Sequence, residues 1–288
     1  MISLTKEYIR SKMVRRDRNA HKGVFGRVLI YAGSVGMSGA AVLCGRSALK
    51  GGAGLVRFLI PSYESPLYTI LQISVPEATC LEYRPGFDFS EYDAIAAGPG
   101  LGNDPAAYSI LKDILENYDK NLVLDADALN MVCSSQELTA LVRSSRARKI
   151  MTPHVGEARR LLSNAALKPS PDILWSSDDG RILALKTISD SYYSIVVLKG
   201  SGTLVGTGEN ICRNTTGNPG MATGGSGDVL TGLIAALCGQ GYSPIDSAAI
   251  GVFAHGLAGD IAAEELGEMG MISSDIAAVL PKALKEIY

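Results

Sequence analysis

The chain has 288 residues, of which 47% are hydrophobic and 19% are charged, and its formal net charge is -2. A chain of this length can bury a substantial core, and we expect one domain over residues 1–288. A nucleic-acid binder needs a basic excess to neutralise phosphates, and this composition argues against that class.

Cysteine usage and the N-terminal segment both favour the cytoplasm. The five cysteines are scattered and never spaced as CxxC, which favours reduced core thiols over a disulfide framework or a zinc site. Residues 1–23 lack the apolar core of a secretion signal, and no later stretch approaches the roughly 18 apolar residues of a membrane span. We therefore expect a cytoplasmic protein whose partners include neither nucleic acid nor membrane.

In chain order, continuous apolar runs alternate with amphipathic stretches. Strands are predicted at residues 27–33, 54–60, 93–98, 121–126, 149–153 and 194–200. Helices are predicted at residues 36–54, 105–117, 135–145, 155–163 and 178–193. Apolar runs without alternation are typical of strands covered on both faces. The pattern therefore predicts an α/β fold with a mainly parallel central sheet and helices on both faces.

The first 20 residues and the residues after 200 depart from this alternation. Residues 202–214 form two short apolar runs around a TGEN turn, which predicts an antiparallel hairpin at the sheet edge. Helices are predicted at residues 228–239, 244–266 and 274–287, and Ser243-Pro244 supplies an N-cap and an N1 proline for the second. Residues 1–20 are expected to form a helical extension, and residues 168–172 a loop.

Glycine-rich or polar segments follow five of the predicted strands. They are Gly33-Ser34, Gly98–Gly102, Asp125–Asn130, Thr152–Glu157 and Lys199–Gly202. The carboxyl ends of parallel strands lie along one edge of the sheet, where α/β proteins bind ligands. The sequence therefore predicts that these distant segments meet in one site.

The segment GNPGMATGGSGD, residues 217–228, is unusually rich in glycine directly before an apolar helix. The backbone N–H groups of Gly224, Gly225, Ser226 and Gly227, with the helix start, would form a pocket suited to phosphate. Asp228 is placed there to take a proton from an attacking hydroxyl. The alternative is a tight turn capped by Asp228, although a plain turn needs only one glycine. The segment matches neither the Walker nor the Rossmann fingerprint.

Two segments at the predicted edge carry weaker signals. Lys199 and the glycines of KGSGT could follow the phosphates or ribose of a nucleotide, or form an ordinary β-turn. His154 and Glu157 lie near the start of a helix, and Glu157 would face any bound anion or metal.

The remaining candidates have structural explanations of equal weight. Asp125, Asp127 and Asn130 could position Mg²⁺ or a ribose, or cap a helix. Gly39, Ala40 and Ala41 would admit a ligand or close packing on the sheet. His21 and His255 gain no support from their spacing, and we interpret both as structural.

Taken together, these motifs resemble one known family. They are HKGVFGRVLIYAGS, GMSGAA, GAGLV, GPGLG, VLDADALN, TPHVGE, VVLKG and NPGMATGGSGDVLTG, in that order. The set is similar to the ADP-dependent NAD(P)H-hydrate dehydratases, a branch of the ribokinase-like superfamily, over residues 20–285. The resemblance implies a ribokinase-like three-layer fold and the stand-alone form, with the partner NAD(P)H-hydrate epimerase on a separate chain.

The resemblance also implies a reaction. In this family ADP, or ATP, phosphorylates the C6 hydroxyl of hydrated NADH or NADPH, and phosphate then leaves to restore the nicotinamide. Asp228 matches the catalytic base, and Glu157 matches an acidic residue that organises Mg²⁺. Four positions match contacts to the hydrated dinucleotide: Ala40, Gly102, His154 and Asp228. Six match contacts to the adenine nucleotide: Lys199, Gly200, Ser201, Gly202, Thr203 and Gly227.

Members of the family are commonly homotetramers, and the resemblance implies the same assembly here.

Three other functions match part of the sequence. A vitamin-precursor kinase would share the fold, the glycine segment and Asp228, but TPHVGE and GPGLG match the dehydratases better. A non-catalytic nucleotide-binding module would be expected to lack the acid of the loop. An NAD-dependent dehydrogenase would need a phosphate fingerprint after its first strand, which is absent from this sequence.

Overall fold

Ten strands form one sheet in the computed structural model, which describes residues 1–164, 175 and 177–288. In chain order they are β1 (Ile2–Leu4), β2 (Arg27–Tyr31), β3 (Leu55–Ile60), β4 (Thr79–Glu82), β5 (Ala94–Ala97), β6 (Asn121–Leu124), β7 (Arg148–Met151), β8 (Ser194–Leu198), β9 (Leu204–Gly206) and β10 (Ile211–Asn214). Their spatial order is β1-β10-β9-β8-β7-β6-β5-β2-β3-β4. Only β9 runs antiparallel to its neighbours among these strands, so the predicted mainly parallel sheet is confirmed.

Helices cover both faces of this sheet. In the described residues they are α1 (Lys6–Lys12), α2 (Ser38–Lys50), α3 (Pro66–Ser74), α4 (Pro105–Asn117), α5 (Ala126–Ser134), α6 (Gln136–Ser144), α7 (Val155–Asn164), α8 (Asp178–Tyr192), α9 (Ser226–Gly239), α10 (Pro244–Leu266) and α11 (Ser273–Ile287). The predicted helices after residue 100 are confirmed, each to within two residues at either end. The loop expected at 168–172 lies outside the described residues.

Side chains of the inner strands alternate between two apolar cores, because a strand has a side-chain period of two. In β2, Leu29 and Tyr31 enter the core beneath α4 to α8, whereas Val28 and Ile30 enter the core beneath α2, α3 and α9. A third cluster joins α9 to α1, α10 and α11. The strands are therefore covered on both faces, which explains their continuous apolar sequence.

Helix α9 lies at the centre of the second face. All of its residues from Val229 to Gly239 are buried, and Asp228 is its one charged residue. The helix packs closely on α2, since a Cβ added at Gly232 would lie 2.0 Å from the carbonyl oxygen of Cys44. Tight packing on every side fixes the position of the Asp228 carboxylate.

Two expectations about the margin of the sheet are wrong. The antiparallel hairpin β9–β10 forms, but it is not the edge, because β1 pairs in parallel with β10 from Ile2–Cys212 to Leu4–Asn214. The N-terminal extension is therefore not purely helical, since a strand precedes α1. Sequence analysis also missed α3, α5 and the edge strand β4.

Membrane topology and cysteine state add two observations. Within the described ranges, no helix combines the length and apolar character that crossing a bilayer requires. All five cysteines are free; four are buried and Cys133 is partly exposed.

Candidate active site

The segments that follow the strands meet at one edge of the sheet, as predicted. The Nζ atom of Lys199, after β8, lies 2.6 Å from Oδ1 of Asp125, after β6. The same Nζ lies 3.9 Å from Oε2 of Glu157, in the segment that follows β7. Gly102, after β5, donates its N–H to Oδ2 of Asp127 at 2.9 Å. Side chains that follow β6, β7 and β8 and a backbone N–H that follows β5 therefore lie along the same edge of the sheet.

The glycine-rich segment begins helix α9 at this edge. Gly225 is the N-cap of the helix and has φ of +91°, a left-handed conformation that favours glycine. A Cβ at Gly225 would lie 2.4 Å from Cδ1 of Leu43, so the loop is pressed against α2. Because the N-cap is glycine, it has no side chain to occupy the first N–H groups of the helix. This arrangement suits an anion at the helix start.

Asp125 joins the Lys199 ammonium to helix α9. Its side chain is 1% exposed; Oδ1 accepts from Lys199, and Oδ2 accepts from the Thr231 hydroxyl at 2.8 Å. Burial lowers the pKa of Lys199, but the carboxylates of Asp125 and Glu157 outweigh it and raise that pKa above its ordinary value. Ala126 has φ of +46°, a costly conformation for alanine that turns the chain directly after Asp125.

The ammonium of Lys199 lies over the first turn of α9. A Cβ added at Gly227 would lie 3.1 Å from Lys199 Nζ and 3.6 Å from Asp125 Oδ2. Gly227 therefore leaves room for a positive charge beside the N–H groups of the helix start. A phosphoryl group bound at this point would meet both the ammonium and the helix N-terminus.

Asp228, in the first turn of α9, has a raised pKa. Burial is the main cause that raises the pKa of its carboxyl to about 7, and the neighbouring Asp125 carboxylate adds to this, while Lys199 acts in the opposite direction. A pKa close to the working pH lets a carboxylate accept a proton and release it again. The structure therefore places Asp228 where the sequence predicts, with suitable basicity.

Glu157 is held by its own segment. The residue is 3% exposed; Oε2 accepts the backbone N–H of His154 at 2.8 Å, and Oε1 lies 3.3 Å from His154 Nε2. Burial raises the pKa of Glu157, although Lys199 partly offsets this. The His154 side chain is 54% exposed, which puts its ring at the mouth of the pocket.

The donor set does not form a protein cage for a metal. In the part of the chain that the structure describes, no group of three or more acidic, histidine or cysteine side chains is arranged to hold an ion. Both Glu157 oxygens already face partners, and both Asp125 oxygens accept hydrogen bonds. Mg²⁺ usually binds through one or two carboxylates together with substrate phosphates and water. The residues fit that mode, with nucleotide phosphates supplying most of the ligands.

Two of the predicted substrate positions, Ala40 and Gly102, lie in or close to the segment that follows β5. Ala40 lies in the first turn of helix α2, and a Cβ added at Gly100 would lie 2.8 Å from the Cβ of Ala40. Gly102 has φ of +71°, and its nearest side-chain neighbours are Met37 and Ser34. Ala40 and Gly102 thus lie near each other, and neither carries a bulky side chain.

The predicted nucleotide segment 199–203 is a tight turn held by an arginine. Thr203 donates its hydroxyl to the carbonyl of Gly200 at 2.9 Å. Arg181, from α8, donates to the carbonyl oxygens of Ser201 at 2.8 Å and Gly202 at 3.1 Å. Sequence analysis missed Arg181, because nothing in the α8 pattern marks one basic residue over another.

His255 is a second residue that sequence analysis did not place at the site. Its Nε2 lies 3.4 Å from the Ser226 hydroxyl, next to the glycine-rich segment. His21, by contrast, accepts from the N–H of Gly23 at 3.2 Å and caps a short 3-10 turn, in keeping with a structural role.

Comparison with known proteins gives relatives along the whole chain. A family model described as NAD(P)H-hydrate dehydratase matches residues 28–282. The bifunctional NAD(P)H-hydrate repair enzyme Nnr of Moorella thermoacetica is 38% identical over 99% of this chain and 54% of its own length. The chain therefore spans about half the length of the bifunctional relatives that it matches.

Two further relatives are close to this chain in length. The ADP-dependent (S)-NAD(P)H-hydrate dehydratase of Neisseria meningitidis is 37% identical over 91% of this chain and 86% of its own. The ADP/ATP-dependent NAD(P)H-hydrate dehydratase of Bacillus subtilis, crystallised with ATP and Mg²⁺, superimposes with a TM-score of 0.83 at 25% identity, covering 100% of this chain and 99% of that one. The family model and these relatives agree for this chain, as does its site at the strand ends. The chain therefore belongs to the ribokinase-like NAD(P)H-hydrate dehydratase family.

Proposed function

We propose that the protein catalyses the ADP-dependent dehydration of the S epimer of hydrated NADH and NADPH, with release of AMP and phosphate. The observation that carries the proposal is the Asp228 carboxylate, with its pKa raised to about 7, in the first turn of α9 beside the Lys199 ammonium. This is the arrangement that activates a hydroxyl beside a phosphoryl group. The names of the relatives supply the substrate class.

In the proposed reaction, Asp228 accepts the proton of the C6 hydroxyl. The hydroxyl oxygen attacks the β-phosphorus of ADP at the same time, and AMP leaves. The N–H groups of Gly224–Gly227 and the Lys199 ammonium stabilise the charge on the transferring group. The bond between C6 and the phosphate oxygen then breaks, the departing phosphate takes up the proton that the adjacent ring carbon loses, and the electrons of that C–H bond form the ring double bond. Phosphorylation is required because hydroxide is a poor leaving group and phosphate is a good one.

Other parts of the site would bind the two substrates. Ala40, Gly102 and His154 would contact the hydrated dinucleotide, and the turn 199–203 with Gly227 would contact the adenine nucleotide. Mg²⁺ bound to the nucleotide phosphates near Glu157 would neutralise their charge. These assignments rest on the family motifs and on the shared pocket edge.

The assembly and cellular setting remain predictions. We propose that residues 1–288 act as one domain, that the protein works as a homo-oligomer, by resemblance a tetramer, and that it lies in the cytoplasm. An NAD(P)H-hydrate epimerase on a separate chain would supply the S epimer. This functional link is supported by relatives that are named bifunctional NAD(P)H-hydrate repair enzymes, about half of whose length the chain covers.

The deciding experiment mixes purified protein, hydrated NADH and ADP, and follows recovery of the nicotinamide absorbance in the near ultraviolet. We expect recovery that needs ADP and yields AMP and phosphate in equal amounts. A parallel reaction offers ATP and a thiazole or pyrimidine alcohol. Phosphorylation of that alcohol without NADH recovery at micromolar enzyme would show a vitamin-precursor kinase and refute the proposal.

A further inference from the structure

Helix α10 contacts the glycine-rich segment 217–228, here called the glycine loop, at its start, its middle and its end. The contacting residues are His255, Gly259 and Asp260; His255 and Gly259 are four residues apart and so are neighbours on the helix surface, and Asp260 lies next to Gly259 in sequence. This helix carries none of the predicted site residues. Its contacts nevertheless reach the segment that ends in Asp228.

Asp260 holds the start of the glycine loop. Its Oδ2 accepts the N–H of Gly217 at 2.9 Å, and its Oδ1 accepts the side-chain amide of Asn218 at 3.0 Å. Asn218 in turn accepts the N–H of Gly220 at 3.0 Å. Gly217 has φ of +102°, so the chain turns sharply at the residue whose N–H the Asp260 carboxylate accepts. One carboxylate thus sets the path of the loop over four residues.

The middle of the loop packs directly on the helix. A Cβ added at Gly259 would lie 2.3 Å from the sulfur of Met221, so only glycine allows Met221 to approach this closely. The neighbouring Gly256 is equally tight, since a Cβ there would lie 2.2 Å from the Thr216 hydroxyl. The loop therefore cannot lift from α10 without opening a cavity.

His255 meets the end of the loop. It is 7% exposed, and its Nε2 lies 3.4 Å from the hydroxyl of Ser226, two residues before Asp228. Burial is the main cause that lowers the pKa of His255 to about 4, and the Lys199 charge acts in the same direction. The imidazole is therefore neutral at neutral pH and adds no charge to the anion pocket.

From these contacts we infer that Asp260 and His255 are positioning residues that hold the glycine loop in the geometry required for phosphoryl transfer. Neither residue is placed to touch the reacting atoms. They act through Gly217, Asn218 and Ser226. These residues hold the backbone N–H groups of Gly224–Gly227 and the Asp228 side chain in fixed positions relative to each other. Stabilisation of a developing charge depends on donors fixed before the reaction, so a loosened loop loses rate before it loses fold. The inference rests on the proposed function.

The test compares Asp260→Ala with Asp246→Ala. Asp246 lies in the first turn of the same helix, where it pairs with Lys12 at 3.2 Å and bonds Ser243, away from the loop. We expect Asp260→Ala to lower kcat for ADP-dependent repair by at least about tenfold per folded molecule and to accelerate amide hydrogen exchange across residues 217–228. Asp246→Ala should change neither quantity, although it should lower the melting temperature.

Two results would overturn the inference. One is an Asp260→Ala protein whose kcat per folded molecule and loop exchange equal those of the wild type. The other is a rate loss no larger than the unfolded fraction explains. If the alanine variant does not fold, Asp260→Asn serves, since it keeps the shape but places a donor against Gly217 or Asn218. Hydrogen exchange needs no substrate, so it still decides the loop contact if the wild type shows no repair and the proposed function fails.

Discussion

The Asp228→Asn substitution is expected to inactivate the protein and stabilise it at the same time. The folded state raises the pKa of this carboxyl from 3.8 to about 7, chiefly through burial and then through Asp125. That difference corresponds to roughly 4 kcal/mol between the protonated and ionised forms. We reduce it to about 2 kcal/mol, because the side chain is only partly buried and solvent screens it. Asparagine keeps the shape and removes the charge.

The pH dependence gives the effect its signature. Between pH 3.8 and about 7 the folded protein binds a proton at Asp228 that the unfolded chain has released, so the contribution of Asp228 to stability falls as pH rises through this window. Above about pH 7 Asp228 is ionised in both the folded and the unfolded state, so the stability lost through its burial no longer changes with pH. The stabilisation by asparagine should therefore be full at pH 8 and about two fifths as large at pH 5.

Thermal unfolding at the two pH values measures this, with Asp119→Asn, an exposed carboxylate, as the matched control. At pH 8 we expect Asp228→Asn to melt roughly 4–6 °C higher than the wild type and the control to be unchanged. Turnover should fall by at least about 10²-fold, the usual contribution of a general base, while nucleotide still binds. A melting temperature that is not raised at pH 8, or a gain equal at both pH values, would refute the reasoning.

Three further predictions concern the same pocket. Gly225→Ala should lower the unfolding free energy by roughly 1–3 kcal/mol, because of its positive φ and the contact with Leu43, whereas Gly224→Ala, with nothing within 4 Å, should change it little; urea titration compares the two. Lys199→Met should move the acid limb of the kcat/KM profile above pH 7, since the ammonium lowers the pKa of Asp228, and an unmoved midpoint would contradict this. Folded His255 resists protonation while the unfolded chain accepts it, so its contribution to stability falls as pH drops from 6.5 toward 4, opposite in sign to that of Asp228; the stability of His255→Asn relative to the wild type should therefore rise as pH falls through this window, and a constant difference in acid denaturation would contradict this.

Local signals explain which elements could be predicted from the sequence. Helix α10 has its predicted bounds because Ser243-Pro244 begins it and Gly267, with φ of +79°, ends it. Helix α3 carries the same start signal, with the Ser65 hydroxyl accepting from Leu67 and Pro66 at N1, but its nine residues were too few to show a clear period. Strand β1 has three residues and forms only through its pairing with β10, which no local pattern reveals.

The site was predictable at the level of segments and not at the level of side-chain pairs. Parallel strands bring their carboxyl ends together whatever the side chains are, so the meeting of the strand-end segments follows from topology. The contact between Lys199 and Asp125 joins residues 74 positions apart and depends on rotamers. The sequence did carry a signal for His255, since Gly256 and Gly259 admit close neighbours on α10 and Gly259 is four residues from His255.

The pairing of β1 with β10 has a consequence for synthesis on the ribosome. More than 200 residues separate Leu4 from Ile211, so β1 leaves the exit tunnel long before its partner exists. At about 5–20 residues per second, the delay is roughly 10–40 s. During that time the segment has no strand to join, and β8 and β9 must be in place before β10 can receive it. Strand β1 is then among the last pieces to dock, and it closes the margin that the hairpin would otherwise leave open to other chains.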